Sequence, residues 1–292
     1  MSKSLEKLSP CKVNLLLNIL GKRPDGFHEL ETVMQPIQIC DRLTFSRDGH
    51  GIQLTCTDPS LPVDSRNLVY RAAAHFLTAT GAQDGVRIHL EKKIPHAAGL
   101  GGGSGNAATT LLGLNELFGN PLLATKLHEL AAALGSDIPF FLQSKPALAT
   151  GRGEKIVSLE PFAALRGAYF LLVRPGFGIS TPWAYQSLAR FPDALNGRAG
   201  RAKKLIESLQ TKSLAEAAPD FYNSLEAPAL EKYPLLAIFQ EFFRAQGASA
   251  TLMSGSGSTT FALLDSQAAA ETLAEKFRQK FGETNWIAVV SA

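Results

Sequence analysis

The feature that most constrains this chain is a glycine-rich stretch that runs directly into a predicted helix. It reads PHAAGLGGGSGNAATT over residues 95–110 and has glycine at four of the five positions 99–103. Glycine lets the backbone adopt positive φ and approach a ligand closely. The start of the following helix presents N–H groups without intrahelical acceptors, and the helix dipole adds partial positive charge there. We therefore interpret the stretch as a phosphate-binding loop.

The two common phosphate-binding loops do not fit this stretch. A Walker loop ends in Gly-Lys-Ser/Thr, and no lysine occurs between Lys93 and Lys126. Residues 103–108 match the dinucleotide pattern G-x-G-x-x-A, but Pro121 opens a predicted helix where that fold requires a second strand. The alternative interpretation of the stretch is a flexible loop capped by Ser104 or Asn106.

Bulk composition narrows the class of protein. The 292 residues suffice for one large or two ordinary domains, and 45% hydrophobic with 19% charged residues is typical of a soluble globular protein. A net charge of +3 is too small to indicate a nucleic-acid partner. The start of the chain does not resemble a signal peptide, and its apolar run around residues 15–17 is too short to span a membrane. We therefore expect neither nucleic acid nor membrane as a partner.

The three cysteines, at positions 11, 40 and 56, have neither the spacing of a zinc site nor that of a disulfide framework. Thiols fit a reducing compartment. We predict a cytoplasmic protein.

The N-terminal strand, predicted over residues 7–20, has an unusual pattern. Period-two alternation places Lys12, Asn14, Leu16 and Asn18 on one face and apolar residues on the other. Two interpretations remain open: an edge strand with one wet face, or a strand that contributes to a functional site.

The remaining pattern predicts an α+β protein with domains over residues 1–160 and 161–292. The N-terminal domain mixes helices and strands, and the C-terminal domain has the order β-α-β-β-α-β of a ferredoxin-like unit. The predicted elements of the first domain are strands 31–39, 42–46, 51–56 and 86–90, helices 68–80, 107–118 and 122–134, and a strand pair within 147–159. Those of the second domain are strands 168–173, 248–253, 259–264 and 285–290, with helices between 181 and 245 and over 266–280.

Two short segments carry candidate chemistry with a structural alternative. Asp137 stands between a helix-ending glycine and an apolar run, where it fits either an N-cap or a proton acceptor, and the two roles are compatible. The turn over residues 253–259 is rich in glycine and hydroxyl groups. By itself it favours an ordinary hairpin.

Three segments together resemble the motifs of the GHMP kinases. They are Pro10-Cys11-Lys12-Val13-Asn14-Leu15, the stretch that begins at Pro95 and contains Gly-Leu-Gly-Gly-Gly-Ser, and Ser254-Gly255-Ser256-Gly257. Within that superfamily, the runs over residues 21–30 (GKRPDGFHEL) and 135–141 (GSDIPFF) are similar to the signature of the kinases that act on a cytidine-diphosphate-linked methylerythritol. The resemblance covers essentially the whole chain.

The resemblance implies a two-domain GHMP kinase fold and an activity. The enzyme would transfer the γ-phosphoryl group of ATP to the 2-hydroxyl of the cytidine compound, in the non-mevalonate route to isoprenoids. Mg²⁺ would accompany ATP, with ligands that the sequence does not identify. The protein would be a monomer or a homodimer.

The resemblance also implies roles for individual residues. Asp137 would be the general base, and Lys12 beside it would favour the ionised carboxylate and polarise the attacking hydroxyl. Phe27 and His28 would hold the cytosine, and Asn14 would contact the substrate. Further substrate contacts would come from Thr181, Ser256 and Gly257. The ATP phosphates would lie on Pro95, His96, Ala97, Ala98, Gly99, Leu100, Gly101, Gly102, Gly103, Ser104 and Gly105.

The chain departs from the usual pattern at three positions. Phe27 replaces a tyrosine and so lacks a hydroxyl, Gly105 replaces a serine, and Ser224 replaces an aspartate in the run Asn223–Glu226. Other functions are less well supported: a kinase for another small alcohol, a catalytically silent ligand-binding protein of the same fold, and a dinucleotide-binding oxidoreductase.

Overall fold

The computed structural model describes residues 4–47 and 50–292. Its strands are β1 (Ser4–Lys22), β2 (His28–Arg47), β3 (Ile52–Cys56), β4 (Val86–Glu91), β5 (Ala147–Gly151), β6 (Lys155–Ser158), β7 (Tyr169–Arg174), β8 (Tyr222–Asn223), β9 (Ala250–Met253), β10 (Thr260–Leu264) and β11 (Trp286–Ser291). Its α-helices are α1 (Leu68–Thr80), α2 (Gly102–Leu117), α3 (Ala124–Leu134), α4 (Thr181–Ser187), α5 (Pro192–Leu195), α6 (Arg201–Thr211), α7 (Leu214–Ala217), α8 (Glu226–Lys232), α9 (Pro234–Ala245) and α10 (Gln267–Phe281). Short 3₁₀ helices cover Pro139–Leu142, Ala163–Leu165, Leu188–Arg190 and Ala218–Asp220.

The chain forms two compact units. The first contains the residues up to Cys11, Ile39–Pro95 and Gly101–Ser144. The second contains Lys12–Gln38, His96–Leu100 and Lys145–Ala292. The chain passes between them within β1, within β2, twice within the glycine-rich stretch and once between Ser144 and Lys145. The division into domains at residue 160 stays a prediction.

In the first unit, β4 pairs with β3 in parallel and with the C-terminal part of β2 in antiparallel orientation. Helices α1, α2 and α3 pack against one another. The predicted bounds of α1 are confirmed. The Asn67 side chain accepts from the Val69 N–H at its start, and Gly81 ends it with φ 65°.

In the second unit, β1 pairs in parallel with β8, while the N-terminal part of β2 pairs with β5 and β5 with β6. A separate antiparallel sheet has the strand order β11-β7-β10-β9. Buried rings of α9 and α10, those of Phe239, Phe243 and Phe277, form a core with Leu171 and Val173 of β7. The strand order of this sheet, covered by α9 and α10, confirms the predicted ferredoxin-like unit.

Several predicted elements differ from the structure, among them α2, which is predicted from residue 107 and begins at Gly102. The expected strands 31–39 and 42–46 are one strand, β2, which pairs with β5 over Leu30–Met34 and with β4 over Arg42–Arg47. Pro36 lies between these paired stretches, so its missing N–H removes no bond to either partner. Helix α3 begins at Ala124 rather than at residue 122, because the Asn115 amide bonds both the N–H and the carbonyl of Leu122.

In the described part of the chain, none of the helices has both the length and the apolar character that crossing a membrane requires.

Candidate active site

Lys12 and Asn14 form a buried polar pair on β1. Their exposed fractions are 3% and 2%. The Lys12 ammonium donates to Asn14 Oδ1 and to the Gly99 carbonyl oxygen, 3.2 Å away, and Asn14 Nδ2 donates to Thr32 Oγ1 at 2.8 Å. Because β1 lies between β2 and β8, the interpretation of a wet edge strand is wrong. Burying an ammonium costs free energy unless hydrogen-bond acceptors surround it. A lysine that is buried in this way is a candidate functional residue, and so is the asparagine that holds it.

Asn18, on the same strand, has a different role. Its Nδ2 donates to Glu31 Oε1 at 2.9 Å and to the Arg198 carbonyl at 2.8 Å. The Glu31 carboxylate also accepts from the N–H groups of Gly200 and Ala202, at the start of α6. An anion stabilises a helix N-terminus. Asn18 and Glu31 therefore anchor the start of α6.

The turn between β9 and β10 packs against the glycine-rich stretch. Ser254 Oγ donates to the Gly99 carbonyl at 2.9 Å and accepts from the Asn14 N–H at 3.2 Å, while the Thr259 N–H donates to the Ala98 carbonyl. Gly99 has φ 75°, and a Cβ there would lie 2.9 Å from the Gly257 nitrogen. The turn is thus a hairpin connection, as the sequence favours, but one that also approaches Gly99 closely.

The same turn leads to a group of aromatic side chains. Ser256 Oγ lies 2.8 Å from Thr181 Oγ1, at the start of α4. Tyr185, one turn further along α4, contacts the His28 ring with centroids 5.1 Å apart. Burial, assisted by the charge of Lys22, lowers the pKa of His28. His28 is therefore a neutral imidazole at pH 7, able both to donate and to accept.

Phe27 is half-exposed next to His28. The Arg152 guanidinium, from the turn between β5 and β6, lies over its ring, 4.6 Å from the centroid. The cation thus covers one side of the Phe27 ring.

Besides Gly99, the part of the glycine-rich stretch within the second unit covers residues 96–98 and Leu100. Ala98 and Leu100 are buried, and His96 and Ala97 are exposed. Ala97 has a positive φ of 50°, which alanine rarely adopts. The Leu100 carbonyl accepts from the Lys12 N–H at 2.9 Å. The carbonyls of Ala98 and Leu100 are therefore both bonded within this unit.

In the first unit, α2 begins at Gly102, after Gly101 with φ 67°. Ser104 and Asn106 lie inside the helix and neither caps it, so the prediction of such a cap is wrong. The Gly105 N–H is the first to make an intrahelical bond, to the Gly101 carbonyl at 2.9 Å. The N–H groups of Gly102, Gly103 and Ser104 therefore have no acceptor within the helix.

Gly105 is buried, and a Cβ there would lie 2.6 Å from the Pro10 carbonyl oxygen and 3.5 Å from the Phe141 ring. The close approach of α2 to β1 therefore requires glycine at this position. Asp137, half-buried, lies in the turn before the 3₁₀ helix that contains Phe141. Ile138 is the N-cap of that helix, so the N-cap prediction for Asp137 is wrong.

The described residues contain no group of three or more His, Cys, Asp or Glu side chains that could hold a metal ion.

Comparison with known proteins gives a consistent result. The GHMP kinases N terminal domain family matches residues 67–145, and the GHMP kinases C terminal family matches residues 202–283. The 4-diphosphocytidyl-2-C-methyl-D-erythritol kinases of Geobacter sp. (strain M21) and Synechococcus sp. (strain JA-3-3Ab) are each 41% identical to this chain over 96% of its length, covering 96% and 92% of theirs. A crystal structure of 4-(cytidine 5'-diphospho)-2C-methyl-D-erythritol kinase superposes with a TM-score of 0.81 at 36% identity, over 99% of this chain and 100% of that one.

The chain belongs to the 4-diphosphocytidyl-2-C-methyl-D-erythritol kinase family of the GHMP kinases. The predicted two-domain GHMP kinase fold is confirmed. The roles of the individual site residues stay predictions.

Three further residues, which the sequence pattern did not predict, contact the candidate site residues or the turn beside them. Tyr185 contacts His28, and Arg152 lies over Phe27. Asn223 Nδ2 donates to the carbonyls of Met253 and Gly255, which fixes the turn beside Gly99. Asn223 begins the run Asn223–Glu226, whose resemblance to the family pattern is the one signal in the sequence that could have indicated it. No local sequence pattern indicates Tyr185 or Arg152.

We expect Gly99→Ala to lower the free energy of unfolding by at least about 2 kcal/mol, since it adds strain at a positive φ and a clash with the Ser254 carbonyl. Urea denaturation measures the change. Gly176→Ala is the matched control, because Gly176 is exposed and a Cβ there meets nothing within 4 Å. Its effect should stay within about 0.5 kcal/mol. Equal effects of the two substitutions would contradict the close approach at Gly99.

Proposed function

We propose that this chain is the ATP-dependent kinase that phosphorylates the 2-hydroxyl of 4-diphosphocytidyl-2-C-methyl-D-erythritol. The observation that carries the proposal is the buried Lys12 ammonium, held by Asn14 and the Gly99 carbonyl in a family whose named members are kinases of this compound. Lysine is among the side chains that are least often buried, and a buried cation beside a glycine-rich loop suits charge stabilisation in phosphoryl transfer.

The N–H groups at the start of α2 are proposed to bind the ATP phosphates. The three groups over Gly102–Ser104 lack intrahelical acceptors, and the helix dipole favours an anion there. The remaining residues of the stretch, from Pro95 to Gly101 and Gly105, are proposed to shape the loop.

In the proposed reaction the hydroxyl proton passes to the Asp137 carboxylate. The alcohol oxygen then bonds to the γ-phosphorus, the bond from that phosphorus to the bridging oxygen breaks, and ADP leaves. Lys12 stabilises the negative charge that develops, and Asn14 holds the Lys12 ammonium in place through its side-chain oxygen.

The half-exposed Phe27 and the neutral His28 are proposed to bind the cytosine ring. Phe27 supplies an aromatic face without a hydroxyl, and His28 supplies one donor and one acceptor for the edge of the base. Tyr185 contacts the His28 ring and is proposed to hold it in place. Thr181, Ser256 and Gly257 are proposed to line the same substrate site.

Mg²⁺ bound to ATP is proposed to take its ligands chiefly from phosphate oxygens and water, as Mg²⁺ commonly does in phosphate sites. We also propose a cytoplasmic location. In the described structure the three cysteines form no disulfide, which suits a reducing compartment. A monomer or a homodimer stays the predicted state.

The proposal is tested by ATP consumption with Mg²⁺ and four alcohols: the cytidine-diphosphate methylerythritol, homoserine, mevalonate and galactose. We expect turnover with the cytidine compound alone. Turnover only with another alcohol would retain the kinase and reject the substrate. Absence of turnover from folded protein that binds ATP would instead favour a silent ligand-binding protein.

We expect Asp137→Asn to reduce kcat by about 10²–10⁴-fold, the usual contribution of a general base, while ATP affinity and thermal unfolding stay close to those of the wild type. Steady-state kinetics and calorimetry measure the two effects. Asp193→Asn, at an exposed position of α5, controls for the loss of one charge and should leave kcat unchanged. A kcat near that of the wild type for Asp137→Asn would show that another group takes the proton.

We expect His28→Ala to raise KM for the cytidine substrate by about 10-fold or more and to leave KM for ATP unchanged, because the cytosine ring loses its hydrogen bonds to the imidazole. The lowered pKa of His28 adds a pH dependence. Because that pKa is lowered, the imidazole becomes charged at a lower pH than an ordinary histidine does, so KM for the cytidine substrate should rise at a pH below the usual range of histidine.

His28→Asn, which cannot titrate, should remove that rise in KM at low pH. An equal loss of affinity for both substrates in His28→Ala would indicate a structural histidine.

A further inference from the structure

A buried carboxylate lies at the base of the glycine-rich stretch, within the first unit. Asp41 of β2 is completely buried. Its Oδ1 accepts from the N–H groups of Lys93 at 2.7 Å and Ile94 at 2.9 Å, immediately after β4. Its Oδ2 accepts from Asn106 Nδ2 at 2.9 Å and from the Lys92 ammonium. One carboxylate thus binds both the residues that enter the stretch and the helix that leaves it.

Asp41, Lys92, Asn106 and Ser9 form one connected hydrogen-bond network. The Lys92 side chain is only 7% exposed, and its ammonium also lies 3.3 Å from Asn106 Oδ1. Asn106 Nδ2 also donates to Ser9 Oγ at 3.0 Å. Each buried charge therefore has an opposite charge and further hydrogen bonds, the condition under which such a pair is tolerated.

The network contacts the start of α2, where the N–H groups of Gly102, Gly103 and Ser104 have no acceptor within the helix. Asn106 lies one residue after Gly105, whose N–H closes the first turn of α2. A Cβ at Gly102 would lie 3.5 Å from the Lys92 ammonium, which places this cation next to the first residue of α2. A shift of Asn106 would displace the first turn, and an anion site built from backbone N–H groups depends on their exact directions.

We propose that Asp41 is a positioning residue for nucleotide binding: its carboxylate holds the first turn of α2 against the end of β4 and so fixes the N–H groups that receive the ATP phosphates. This inference rests on the proposed function, because it needs ATP as the ligand of α2. Asp41 itself contacts neither ATP nor the alcohol.

The test uses the wild type, D41N, and D41N combined with N106D. In D41N the side-chain oxygen still accepts from the N–H groups of Lys93 and Ile94, but its NH₂ group faces the NH₂ group of Asn106 and the Lys92 ammonium. Adding N106D reverses the pair: the carboxylate at position 106 accepts from the amide at 41, from Lys92 and from the Ser9 hydroxyl.

We expect D41N to weaken ATP binding at least tenfold in isothermal titration calorimetry. The double substitution should restore the Kd to within about threefold of the wild type. KM for the cytidine alcohol should change less than twofold in each variant, which a general loss of structure would not allow. D84N, which removes an exposed carboxylate paired with Arg47 in the same unit, is the matched control and should leave the Kd unchanged.

Folded D41N that binds ATP as tightly as the wild type would overturn the inference, as would a loss that the double substitution does not restore. If D41N does not fold, N106A decides, because it removes the bond to α2 and leaves the pair of Asp41 and Lys92. N106A should weaken ATP binding at least threefold, and unchanged binding would overturn the inference. A wild-type protein that binds no ATP would instead reject the proposed function.

Discussion

The Gly99 carbonyl oxygen accepts hydrogen bonds from the Lys12 ammonium, 3.2 Å away, and from the Ser254 hydroxyl, 2.9 Å away. Three segments that are far apart in the chain therefore meet at one peptide group. The meeting requires glycine at 99, because φ is 75° and a Cβ would collide with the Ser254 carbonyl. The position of Lys12 depends on this contact, and so does the turn that continues to Ser256, whose hydroxyl lies 2.8 Å from that of Thr181.

Buried polar groups fix the second unit at two places on β1. Lys12 and Asn14 are held by each other, Gly99 and Thr32, whereas Asn18 works with Glu31 to anchor α6. A buried polar group is stable only when its partners are present, so each of these side chains commits several segments to one arrangement. The polar face of β1 thus holds the buried pair of Lys12 and Asn14 near Gly99 and anchors α6 through Asn18.

The glycine-rich stretch has one defined backbone conformation in the folded chain. Its glycines permit many backbone conformations, and the structure selects one by contacts outside the stretch. In the second unit these contacts reach Gly99 and Ala98, and in the first unit Asp41 binds the flanking residues. At Gly105 glycine is required for steric reasons instead, because α2 approaches the Pro10 carbonyl too closely there for a side chain.

The sequence alone determined the elements and their chemistry where the signal is local. Asn67 and Gly81 bound α1 because capping depends on neighbouring residues, and the order of strands and helices predicted the ferredoxin-like unit. Spacing cannot reveal what a side chain meets across the fold. The tertiary structure alone decided that the polar face of β1 is buried, that Tyr185 and Arg152 contact His28 and Phe27, and that Asp41 binds both flanks of one loop. Burial and hydrogen-bond partners arise when distant segments pack, and that packing has no local signature in the chain.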